Sequence, residues 1–131
     1  MANTISTTTL INGERNLVVL VNLASDGDEG DETNTVLIDR STFTPAGTEL
    51  VVEKVEGLCS GFVATLSFDA TADLPFVRLP DGDWFCHDWT CIGGVSSNKA
   101  GAGGTGDILL STSGFSAASD VATFIIHMRK S

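Results

Sequence analysis

The residues best suited to chemistry lie together in one stretch, Asp83-Trp84-Phe85-Cys86-His87-Asp88-Trp89-Thr90-Cys91. Two thiols and an imidazole in Cys-His-x-x-x-Cys are donor types that bind zinc. A structural zinc takes a tetrahedral set, and only Cys59 or His127 is left to complete one here. In an extended strand Cys86 and Cys91 point to opposite faces, and the neighbours Cys86 and His87 diverge. That disfavours both shared metal ligation and a cysteine nucleophile activated by the adjacent histidine. The stretch therefore reads as a buried aromatic strand carrying small apolar cysteines, with His87 exposed. A different chemistry stays open for Cys59, Cys86 and Cys91. One intrachain disulfide would leave one thiol over for a neighbouring chain in an oxidising environment, whereas a reducing one leaves all three as buried thiols.

Other clusters are weaker. The acidic run Ser25-Asp26-Gly27-Asp28-Glu29-Gly30-Asp31-Glu32-Thr33 offers five carboxylates. It fails the EF-hand pattern, with Gly30 at a ligand position and Asp31 where glycine is required, so it reads as a solvated connection. The run Asn98–Asp107 places Gly101, Gly103 and Gly106 in G-x-G-x-x-G. A dinucleotide site needs a helix after that loop, and Asp107-Ile108-Leu109-Leu110-Ser111 reads as a strand instead. The glycines then answer a need for positive φ or close backbone approach, and Gly101, Gly103, Gly104 and Gly106 are the candidate subunit-contact loop. Asp69, Asp73, Asp81, Asp83 and Asp88 all sit at turn signals, where aspartate caps the backbone. With no G-x-S-x-G, no H-E-x-x-H and only His87 and His127 as imidazoles, no constellation for an enzyme emerges. No cofactor is implied.

The elements that must position these residues are strands. Glycine and threonine abound, and short β-type runs alternate with turns. Strands are expected near Thr7–Ile11, Leu17–Leu23 (buried on both faces), Thr35–Ile38, Glu49–Glu56, Phe62–Asp69, Phe76–Leu79, Trp84–Trp89, Asp107–Ser111 and Val121–Arg129. In Glu49–Glu56 the faces divide as Leu50, Val52 and Lys54 against Val51, Glu53 and Val55. The spacing predicts an all-β fold, a single-domain antiparallel β-sandwich over 1–131, jelly-roll-like, whose last strand pairs with an early one. The expected core is Leu17, Val19, Val21, Ile38, Val52, Phe62, Ala64, Leu66, Phe68, Phe76, Leu109, Phe124 and Ile126. The Thr-rich start, residues 1–9, reads as an extended arm whose Thr4, Ile5, Thr7 and Thr9 could add a strand to a partner sheet.

Composition narrows the function. The chain has 131 residues, 42% hydrophobic and 18% charged, which is too apolar for disorder. Its net charge of −10, with seven scattered basic residues, disfavours nucleic acid. No apolar run approaches a membrane span, and the N-terminal residues carry no signal-peptide pattern. Three segments then carry a resemblance: Ile5-Ser6-Thr7 with Leu10-Ile11-Asn12-Gly13-Glu14-Arg15-Asn16, Phe68-Asp69-Ala70-Thr71-Ala72-Asp73-Leu74-Pro75, and Asn98 to Ile108. The chain resembles a group of small tailed-bacteriophage virion structural proteins. That resemblance implies a capsid decoration or cement protein, made in the host cytoplasm and placed on the capsid exterior. It also implies major capsid protein or other virion proteins as partners, a homo-oligomer with a trimer favoured, and no catalytic residues to carry over. Cys86–Cys91 and Asp26–Glu32 lie outside the shared pattern; interchain disulfides are the use such thiols would have. A neck, collar or tail-fibre component shares these features. A carbohydrate-binding β-sandwich is the other class, and it requires Trp84, Phe85 and Trp89 to be exposed.

Overall fold

The computed structural model describes residues 3–25, 27, 31–43, 50–82, 84–115 and 119–130. Ten strands follow in order: β1 Thr4–Asn12, β2 Asn16–Ala24, β3 Thr35–Ile38, β4 Leu50–Ser60, β5 Val63–Phe68, β6 Leu74–Leu79, β7 Phe85–Asp88, β8 Val95–Ser96, β9 Ile108–Ser113 and β10 Val121–Lys130. They form two sheets. The larger runs β1-β2-β10-β4-β7, with β8 also on β4, and the smaller runs β3-β9-β5-β6. Every strand pair is antiparallel.

The pairing is nested. β5 turns back on β6, β4 then takes β7 and β8, β3 takes β9, and β2 takes β10. Successive pairs alternate between the two sheets, so the chain is a doubled ribbon wound around one core, which is the jelly roll. β1 is an additional strand on the edge beside β2.

Side-chain alternation explains why these segments pair this way. In β2, Leu17, Val19, Val21 and Leu23 are buried while Val18, Leu20 and Asn22 face outward. β2 is therefore buried on one face only, which corrects the expectation of two. β10 buries Ala122, Phe124, Ile126 and Met128 on the same side. Each large apolar side chain sealed this way contributes roughly 1.5–3 kcal/mol. Facing them across the sandwich are Phe62, Ala64, Leu66 and Phe68 of the β5 segment and Ile108 and Leu110 of β9.

Three expectations change. Glu53 is an extra residue against β10, where the register jumps from Lys54 to Val52. The bulge returns Val55 to the core beside Leu50 and Val52, and turns Lys54 outward. Leu109 is buried, but the core is filled by its neighbours Ile108 and Leu110, and Phe76 is only partly buried against it. Residues 4–9 are not a loose arm, because Thr4, Ile5, Thr7 and Thr9 are all in register with β2.

Lys130 closes the edge of the ribbon. Its side chain is buried, and its ammonium donates to Asn12 Oδ1 and, at 2.9 Å, to the Gly13 carbonyl. The C-terminal strand thereby holds the β1–β2 turn. Gly57 sits where β4 and β10 approach closely. It lies between Phe124 and Phe85, and a Cβ there would stand 2.3 Å from the Thr123 carbonyl oxygen and 2.4 Å from Phe124 Cβ. Gly57→Ala is therefore expected to destabilise the fold by about 1–3 kcal/mol, read as a lower urea midpoint at unchanged slope.

Candidate functional site

Asp83 lies outside the described residues; from Phe85 the stretch becomes β7 and a 3-10 turn, Thr90–Ile92. β7 pairs with β4 so that Phe85 meets Gly57 and Cys86 meets Glu56. Phe85 points into the core at 8% exposure. The His87 ring lies 5.4 Å from Phe85 and stacks at 5.8 Å on Trp89; Trp89 meets Phe76 edge-on, and Phe76 stacks on Phe68 at 4.2 Å. The aromatics thus form a row leading from the core to the rim. Trp89 anchors it: its N–H donates to the Glu53 carbonyl at 2.8 Å, and its carbonyl accepts from Ile92 and Gly94. Asp88 accepts both the N–H and the hydroxyl of Thr90, which hold its carboxyl below the usual range.

The three cysteines part company. None is disulfide-bonded. Cys59 is sealed in the core, as the buried-thiol reading has it, but it lies within β4, which runs past its expected end at Glu56. Burial pushes its pKa up to about 11, helped by the nearby Asp81 carboxylate and opposed by a backbone hydrogen bond at Ala64. Cys86 and Cys91 are exposed, which corrects their reading as core residues. The reason is local: Phe85 takes the inward position, so Cys86 must face out, and the turn after Asp88 carries Cys91 onto the surface. Among the described residues no group of three or more His, Cys, Asp or Glu side chains is placed to hold a metal ion.

The glycine loop folds back on the protein itself. Thr71 N–H donates to Ala102 O, Thr105 N–H to Asp69 O, and Asp69 N–H to Asp107 O. Arg40 binds Thr105 O and Asp107 Oδ1 through its Nε and its backbone N–H. Gly103 and Gly106 adopt positive φ, and a Cβ at either would strike Thr71 or Arg40. Those two glycines answer intramolecular packing, while Gly101 and Gly104 remain on the surface. The loop leads into β9, a strand, as its sequence implied. It also joins residues 68–75 and 98–108 into one hydrogen-bonded unit.

At the end of the acidic run, Asp31 accepts the Phe115 N–H at 2.7 Å, and Glu32 accepts from Asn3 and Thr35. These two carboxylates cap the fold, so this end of the run is not a freely solvated connection. Asp26, Asp28, Glu29 and Gly30 lie outside the described residues. Asp73 accepts the Ala70 N–H within its turn, whereas Asp69 and Asp81 tie distant segments together by accepting from the Thr105 hydroxyl and the Gly61 N–H; Asp83 lies outside the described residues.

The outward face of the large sheet carries a feature the sequence did not announce. Ile125 lies opposite Leu20 on one side and Glu56 on the other, and Val18 lies opposite Ile11. Leu58 is one diagonal step from Ile125, and continuing the β4–β7 register by one residue sets Trp84 beside Leu58. Trp84, Leu58, Ile125, Leu20, Val18 and Ile11 therefore form a diagonal apolar band across four strands and the residue that precedes β7. Trp84 is 67% exposed, Ile11 52% and Leu58 38%. On one side the band is edged by an ionic row, in which Glu56 binds Lys54 at 3.5 Å and His127 at 3.3 Å, and Arg129 reaches Glu53 at 3.7 Å. Cys86 lies in the register row of Ile125.

The chain matches no known protein family and no curated protein. The arrangement must speak for itself. Of the two exposed thiols, Cys86 stands in the row of this apolar surface, while Cys91 lies on the turn after β7. Among the described residues there is no cavity.

Thiol reagent added to the native protein is expected to label Cys86 and Cys91 and to reach Cys59 only on unfolding, as peptide mass mapping would read. The pH dependence has a definite sign. The Cys59 thiol is neutral in both states below the ordinary value of 9.0, so its contribution is intact there. Between pH 9.0 and about 11 the unfolded thiol ionises while the folded one does not, and stability falls. Melting curves across that window should show a smaller fall for Cys59→Ala than for the wild type.

Proposed function

We propose that this chain is a virion structural protein of a tailed bacteriophage, a capsid decoration or cement (minor capsid) protein that binds and reinforces the major capsid lattice. The observation that carries the reading is the diagonal apolar band on the outer face of the large sheet, an exposed surface fit for docking on another protein. The jelly roll is compatible with it, since viral capsid domains use this architecture, though lectin domains do as well. The three segments that resemble phage proteins add to it, two of them meeting in the glycine-loop unit and the third forming β1 and its turn. The protein would be made in the host cytoplasm and sit on the capsid exterior.

Exposed Cys86 and Cys91 give the reinforcement a covalent route. After lysis, two thiols on neighbouring subunits would each lose a proton and an electron to dissolved dioxygen and join as a disulfide, the oxygen being reduced towards peroxide. A neck, collar or tail-fibre role would use the same surface, and differs in copy number per particle.

One observation favours a second reading, a sugar-binding module: Trp84 is open to solvent. Against it, Phe85 is buried and Trp89 is half-buried in the aromatic row, so only one of the three rings expected in a stacking platform is available.

Purified particles of the phage that encodes the chain provide the test, analysed on gels with and without reductant. The protein should be present at lattice-scale copy number, with monomer released from covalent species on reduction. A ring-scale copy number would move it to the neck or tail, and absence from particles would overturn the virion reading. Trp84→Ala should weaken capsid binding by roughly tenfold or more, as expected for an exposed interface aromatic.

A further inference from the structure

We propose that β1 pairs edge to edge with β1 of a second copy of this chain, antiparallel about a twofold axis, joining two large sheets into one. This goes beyond the virion reading and does not depend on it.

β1 is a long edge. It spans Thr4–Asn12, pairs with β2 on one side, and among the described residues nothing pairs with the other. All its side chains are exposed except that of Ile5, which is partly buried against the core. Proteins commonly protect such edges with lysine, proline, a central bulge or a covering segment. Here there is no charged residue and no proline in the strand, and its one irregularity lies between Thr9 and Ile11, near the end. Half of its backbone donors and acceptors face away from β2, ready for another strand.

Charge points to a second copy as the occupant. The protein carries −10, so most pairs of its surfaces repel when brought together. The strands of the large sheet are balanced: Glu53, Glu56 and Asp88 offset Lys54, Arg129 and Lys130, and β1 and β2 hold no charge at all. The β1 edge is thus a surface on which two copies can meet without like charges facing each other. The pairing is also self-complementary. A twofold axis at Thr8 sets Thr8 against Thr8 and Thr7 against Thr9, a favourable cross-strand match that keeps these central residues on their own faces. The outward band ending at Ile11 would then run on across the partner's sheet.

Sedimentation equilibrium of the purified chain with reductant present, over a concentration series, reads the outcome directly. The mass should rise from 13.7 kDa to twice that value. Thr8 faces outward at the centre of the strand, so Thr8→Asp and Thr8→Lys should each weaken the dimer by roughly tenfold through like charges near the axis. Mixing the two variants in equal amounts should restore it as a heterodimer. That recovery cannot come from misfolded chains, and circular dichroism of each variant checks the fold separately. A monomer at every concentration, a trimer such as the phage resemblance implies, or a dimer unmoved by both Thr8 variants would overturn the proposal. The presence or absence of the protein in particles bears on the virion reading alone.

Discussion

The architecture depends on β10 lying between β2 and β4. These are the two longest contacts in the molecule, with nine residues of β10 in register with β2 and ten with β4. Without β10, the larger sheet would fall into two separate ribbons, and each would expose a row of backbone donors and acceptors that water or another chain must satisfy. The strand suits its place. Alternate residues Ala122, Phe124, Ile126 and Met128 fill the core, and Gly57 gives way beside Phe124 so that β4 can approach. The nested order of the other pairs follows, because each strand that joins β10 or its neighbours must return through the opposite sheet.

A sandwich has two outward faces and several edges, and this protein treats them differently. The small sheet and its loops spend their polar groups on themselves: Asp69, Asp107, Arg40 and Thr105 tie the glycine loop down, and Asp31 and Glu32 fasten the start of β3 to β9 and Phe115. The large sheet gathers its ion pairs around Glu53 and Glu56 and leaves apolar side chains in the open. The first arrangement stabilises the fold; the second leaves apolar area in water that folding does not bury.

Much of the fold was legible in the sequence because strand alternation is a local signal. Phe62, Ala64, Leu66 and Phe68 announce one face of β5 without ambiguity, and Val121–Arg129 reads as a central strand. Local signals failed where parity was broken or hidden. The extra residue Glu53 reverses the faces of β4 after Val52, and no residue type marks a bulge in advance. In the run Ile108-Leu109-Leu110 all three residues are apolar, so the core parity could not be read. Cys86 and Cys91 were expected inside on residue type, but the inward place beside Gly57 is filled by Phe85. The apolar band was out of reach for a different reason: its members come from four strands and a loop, and only the cross-strand register brings them together. Trp84 and Ile11 are 73 positions apart in the chain, and nothing in either neighbourhood refers to the other.

Charge in this molecule is kept to its connections. The strands of the large sheet sum to zero and those of the small sheet hold Arg78 alone, so the acidic residues that make the net −10 come from the segments between strands. When two copies approach, repulsion is strongest where connecting segments face each other and weakest where strands do. That repulsion reaches about a Debye length, roughly 8 Å at physiological salt, so added salt should ease contacts through the connections far more than contacts through the strands.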